Sequence, residues 1–220
     1  MDQNRWEIVI LKPTSVFLSF LADRHPGLDL PDSSLAETDN TAYVIRRQPT
    51  EEATLDEIER HYSLMFQHEI NRWLGEGIPS KIETSFLDFL CCFKFELHSQ
   101  LVLMEPSMHR IEKLLCIKPR SVLLKWLRSS IEDCDDELTS ILERVNLSNL
   151  VENATIVAKN LKNLSELKPF IQANYGTFFR AEMSRMCDKE EQWPLINTVD
   201  AFDRYFSVDL HTQVIHLHSL

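Results

Sequence analysis

The sequence predicts an α+β fold, predominantly helical, in which a single domain covers residues 1–220 and a small sheet joins N-terminal and C-terminal strands. Three observations predict it. From Trp6 to Leu11 the residues Ile8, Val9, Ile10 and Leu11 form an unbroken apolar run, the pattern of a strand covered on both faces. The segment HTQVIHLHSL, from His211, has the composition and alternation of a second strand. Between these ends, apolar residues recur mainly at helical spacing.

Taken in order, Pro13 ends the first strand, and Thr14 or Ser15 caps a helix whose stripe is Val16, Phe17, Phe20 and Leu21, stopped by Pro26-Gly27. Residues 27–40, GLDLPDSSLAETDN, have no periodicity and predict a long, mobile surface loop. Thr41 to Arg47 has strand composition and is expected to pair with the first strand. A capping box at Thr54-x-x-Glu57 opens a helix with Leu55, Ile58, Tyr62, Met65, Phe66, Ile70, Trp73 and Leu74 on one face, and Gly75 closes it.

A second box, Ser80-x-x-Glu83, precedes the most apolar segment, where Ile82, Phe86, Phe89, Leu90, Phe93, Leu97, Leu101 and Met104 predict a central helix. Locally, Phe93, Phe95 and Leu97 alternate with Lys94, Glu96 and His98 as in a strand, but length and cap point to helix. Helices are then expected over Met108 to Cys116, Ser121 to Ile131 and Cys134 to Val145. Ser148 or Asn149 caps another through Leu164, Ser165 begins one running to about Met186, and a short one spans Val199 to Phe206. No internal repeat and no inter-domain linker is read from the sequence.

Charge and cysteine usage narrow the function. Asp and Glu number 34 against 23 Lys and Arg, a net charge of −11 that opposes docking on nucleic acid or anionic lipid. The five cysteines are an odd set, and Cys91 and Cys92 are neighbours that cannot form an unstrained disulfide, so a reduced, cytoplasmic setting is expected. No apolar run reaches the roughly 18 residues of a membrane span. Glu7 and the Lys12-Pro13 break argue against a secretion signal at Trp6 to Pro26, which is expected to belong to the fold.

Enzyme signatures are incomplete. His68-Glu69-Ile70-Asn71-Arg72 starts like a helical zinc-protease motif, but Arg72 stands where the second ligand belongs. Asp133, Asp135 and Glu137 start like a calcium loop, but Leu138 replaces the turn glycine and Arg144 the closing carboxylate. His216 and His218 share one side of a strand and define the alternative, a divergent metal-dependent enzyme; with no Asp or Glu spaced to join them, the polar face of an edge strand is the simpler account. The sequence lacks GxSxG, a phosphate loop and GxGxxG, so no cofactor and no enzymatic activity is expected. A protein-binding surface is expected at the acidic run Glu132, Asp133, Asp135, Asp136 and Glu137.

Through WEIVILKPTSVFLSFL, its size and its acidity, the chain resembles the LvgA family of acidic adaptors in the bacterial Dot/Icm type IVB secretion system. The resemblance implies a non-enzymatic adaptor or chaperone in the cytoplasm, held at the inner membrane through a coupling complex. Its implied partners are the IcmS and IcmW adaptors, the DotL coupling ATPase and the secreted effectors. It assigns no role to any single residue.

Overall fold

The computed structural model describes residues 6–27, 40–75, 84–105, 110–129 and 144–217. Within them the chain forms β1 (Trp6–Pro13), α1 (Ser15–Arg24), β2 (Ala42–Arg46), α2 (Glu51–Leu74), α3 (Phe86–Cys92), β3 (Phe93–His98) and β4 (Leu101–Leu103). There follow β5 (Leu114–Pro119), α4 (Ser121–Ser129), α5 (Leu147–Glu152), β6 (Thr155–Ala158), α6 (Leu167–Met186), α7 (Val199–Tyr205), β7 (Phe206–His211) and β8 (Val214–His216). The α+β class therefore stands. The chain divides into two compact units, Asp2–Leu97 with His211–Leu220, and His98–Leu210. Among the described residues no helix is long and apolar enough to cross a membrane.

In the first unit the sheet order is β3-β1-β2-β8. β1 and β2 pair antiparallel with Ile8 opposite Val44, as expected of these two strands. The unbroken apolar run of β1 is fully buried from Ile8 to Leu11. Phe17 of α1, Phe66 of α2 and Phe93 of β3 meet over this sheet, with ring centroids 4.5 Å apart for Phe17 and Phe93 and 5.8 Å for Phe66 and Phe93. Each buried ring contributes roughly 1.5–3 kcal/mol by area alone. Thr14 sits at the helix start without capping it, because its hydroxyl donates instead to the Cys91 and Cys92 carbonyls. α2 is capped by Thr50, which accepts from the Ala53 amide, and ends at Gly75, whose φ of 85° favours glycine.

Several expectations fail here. The sheet structure involves more than the N-terminal and C-terminal strands, since β3 joins the first sheet and a second sheet forms from β4, β6, β5 and β7. The expected central helix is short: Ser85 and Asp88 form the capping box, α3 ends at Cys92, and the alternating segment that follows is β3. Leu114 to Cys116, expected as the end of a helix, fall in β5 (Leu114–Pro119), and the expected helix after Ser148 breaks into α5 and the fully buried strand β6. Residues 28–39, the greater part of the expected mobile loop, and the Ser80-x-x-Glu83 box lie outside the described residues.

In the second unit the order is β4-β6-β5-β7. Most of its elements repeat those of the first unit in order, so the reading of no internal repeat is corrected. Lys12-Pro13, Ser15-Val16, Leu18 and Leu21 correspond to Lys118-Pro119, Ser121-Val122, Leu124 and Leu127. From Asn40 and Asn153 onward a constant offset of 113 positions carries α3 onto α7, β3 onto β7 and β4 onto β8, end for end. Contacts repeat as well. Lys12 pairs with Glu96 at 2.5 Å, and Lys118 with Asp209 at 2.6 Å. The Thr14 amide donates to the Cys92 carbonyl at 2.9 Å, and the Arg120 amide to the Tyr205 carbonyl at 2.8 Å.

Rewritten through this correspondence, the two sheets have one strand order, with the closing strands exchanged. β4, at the end of the first repeat, lies in the second unit's sheet parallel to β6; β8, at the end of the second, lies in the first unit's sheet parallel to β2. The register differs by one residue: Val214 faces Ala42, whereas Leu101 faces Ile156. Chain length forces the exchange. Only Ser99 and Gln100 separate β3 from β4, a reach of about 11 Å over three Cα steps. The open position beyond β2 lies three strand spacings from β3, about 14 Å. Thr212 and Gln213 set the same limit between β7 and β8.

Candidate functional site

The second unit carries a groove of about 430 Å3 between α6 and α7, lined by Leu164, Leu167, Lys168, Ile171, Gln172, Val199, Asp200 and Asp203. Local sequence builds each wall. Asn163 caps a 3-10 turn over Leu164–Glu166 by accepting from the Ser165 amide, and this turn leads into α6 and leaves Leu164 62% exposed. Leu167 and Ile171, one helical turn apart, rest partly on the core and form an apolar floor. Thr198 caps α7 through the Ala201 amide, so Val199 joins the floor while Asp200 and Asp203, three apart, face outward together. The Tyr175 hydroxyl donates to the Asn197 carbonyl at 2.9 Å and ties the start of α7 to α6. The groove thus offers apolar contact with a carboxylate wall and Lys168, chemistry suited to holding a segment of another protein.

The long helix of each unit also buries a carboxylate. Glu69 is fully buried; it accepts from the Tyr43 hydroxyl at 3.3 Å and pairs with Arg72 at 3.4 Å. Burial pushes its pKa up from the usual carboxylate value, against the opposing pull of a Thr41 hydrogen bond and the Arg72 charge. Burial also raises the Tyr43 hydroxyl, helped by the Glu69 charge. Glu182, in the corresponding place, accepts from the Thr155 amide at 2.8 Å and pairs with Arg185. A group placed alike in both repeats and fully buried in each is a structural tie between long helix and sheet.

Because the folded Glu69 holds its proton more tightly than the unfolded chain does, it contributes stability that is full below about pH 4.5 and is lost as pH rises through the raised value. Glu69→Gln is expected to remove this loss. Urea midpoints at pH 5 and pH 8 should lie closer together in the variant than in the parent, and an unchanged gap would refute the assignment.

The acidic run Glu132, Asp133, Asp135, Asp136 and Glu137 lies outside the described residues, as does His218. His216 sits in β8 opposite Val44, and among the described residues no group of three or more His, Cys, Asp or Glu is placed to hold a metal ion. In the broken zinc-protease motif, Glu69 turns into the core while His68 is exposed. Sequence reading missed the groove, although the spacing of Asp200 and Asp203 was a signal for it. It also missed the two buried glutamates, although Glu69-x-x-Arg72 and Glu182-x-x-Arg185 repeat. No protein-family model, curated protein or solved structure matches the chain.

Proposed function

We propose that this protein is a non-enzymatic adaptor that holds a segment of a partner protein in the groove between α6 and α7. The observation that carries the reading is an apolar floor open to solvent at Leu164 beside a wall of two exposed carboxylates, Asp200 and Asp203. A partner helix with apolar anchors and a basic residue facing that wall is complementary to it. The resemblance of WEIVILKPTSVFLSFL, together with size and acidity, extends the reading to the coupling complex of a type IVB secretion system. There the chain works beside IcmS and IcmW on DotL, on the cytoplasmic side of the inner membrane, and presents effectors for export.

Co-expression with IcmS, IcmW and DotL followed by affinity purification tests this. The parent chain should capture the complex, and Leu164→Asp combined with Asp203→Lys should weaken capture by about tenfold or more. Both positions are exposed, so the fold should survive. No capture by the parent, or equal capture by the variant, would overturn the proposal.

A further inference from the structure

Duplication gives the groove a counterpart, and its chemistry has diverged. The constant offset carries Lys168, Asp200 and Asp203 onto Leu55, Leu87 and Leu90 of the first unit. α2 and α3 pack against each other there, with the Tyr62 hydroxyl donating to the Thr84 carbonyl at 3.0 Å and the Tyr62 and Phe86 rings 5.6 Å apart. Leu87 is 73% exposed and Leu55 39% exposed, so the charged positions of one repeat have become an apolar strip in the other.

Glu51, Glu52 and Glu59 lie three or four residues from Leu55 on α2, the spacing at which side chains on a helix are neighbours, and all are exposed. Asp88 adjoins Leu87 and is held in its charged form by the Ser85 backbone and hydroxyl, which lower its pKa. Arg60 and His61, the basic groups of this stretch of α2, both lie against Glu57, at 2.5 Å and 3.3 Å. The strip is thus apolar at its centre and acidic at its margin.

We propose that this face of α2 and α3 is a second docking surface, distinct in chemistry from the groove, and that its occupant is a basic amphipathic helix of a partner protein. Leucines at helical spacing meet Leu55, Leu87 and Leu90, and flanking lysines or arginines meet the acidic margin. The inference rests on the adaptor reading and deepens it. The chain then carries two receptors for basic amphipathic segments, one in each unit: a groove walled by carboxylates and a leucine strip with carboxylates at its margin.

Isothermal titration of the full chain with a synthetic helix about five turns long, leucine on one face and lysine on the other, tests the idea. A twin with glutamate for lysine is the charge control. The lysine peptide should bind and the glutamate twin should not; Leu55→Ser with Leu87→Ser should weaken binding by about tenfold or more. Asp200→Asn with Asp203→Asn should leave the binding that depends on Leu55 and Leu87 within about twofold, any further loss reporting the α6–α7 groove. Circular dichroism confirms that the exposed-site variants fold. Equal binding of both peptides, no binding of the lysine peptide, or no effect of the leucine variant overturns the second surface. If only the aspartate variant weakens binding, the peptide sits in the α6–α7 groove and the second surface falls while the adaptor reading stands. Failure of the adaptor reading shows separately, as absence of the coupling complex in the co-purification.

Discussion

A chain cut after Leu210 is expected to lose the fold of the Asp2–Leu97 unit, although the cut lies far from it in sequence. The cut removes β8, which closes the sheet against β2, with Ile215 facing Tyr43 and the Gln213 carbonyl accepting from the Ala42 amide at 2.9 Å. It removes Leu217, which is 2% exposed in the first core, and His211, whose Nδ1 lies 2.9 Å from the Asn40 carbonyl. Burial of one large aliphatic side chain is worth about 1.5–3 kcal/mol, and each ladder hydrogen bond about 0.5–1.5 kcal/mol. With Ala42, Tyr43 and Val44 fully buried, their strand would be left with buried groups unsatisfied. The summed loss rivals the whole stability of an ordinary domain, about 5–15 kcal/mol. Hydrogen exchange of residues 6–13 and 42–46 reads the outcome. Retained protection there would show that β8 is not what closes the sheet.

Arg185→Met is the second large effect. It leaves Glu182, fully buried, with the Thr155 amide but without its cation, and removes the hydrogen bond that Arg185 donates to the Leu150 carbonyl at 2.9 Å. Breaking one side of a buried pair costs about 3–5 kcal/mol, because the surviving charge keeps its desolvation penalty. The double variant Glu182→Gln with Arg185→Met should recover much of that loss. Urea unfolding of both variants measures it, and a loss below about 1 kcal/mol in the single variant would show that the pair with Arg185 is not what holds the buried Glu182 in place.

Helices with a single apolar stripe were legible in the sequence: α2 and α6 begin and end close to their expected bounds, and α7 does too. Buried strands were not. Leu114 to Ile117 and Ala154 to Ala158 are buried on every side and apolar but for Thr155, and in such short runs the spacing of a helix and of a strand coincide. The missing discriminator was comparison of the chain with itself. Ile10-Leu11-Lys12-Pro13 is a strand, so Cys116-Ile117-Lys118-Pro119 is one too. The groove was less legible because its lining comes from a 3-10 turn and two helices whose packing no local pattern fixes. The acidic run drew the binding assignment because charge is visible in a sequence, whereas Leu164 reads as one more leucine of an amphipathic helix.

The exchange of closing strands also sets a timetable. Residues 42–44 cannot acquire their last neighbour until residues 214–216 exist. On the ribosome, where domains commonly fold in the order in which they emerge, the first unit must wait with an open sheet while the second repeat is synthesised. A stalled or shortened translation product therefore exposes the edge of β2 as a free template for another strand. Such a product is a natural target for chaperones and proteases, so completing the second repeat acts as a checkpoint on the first.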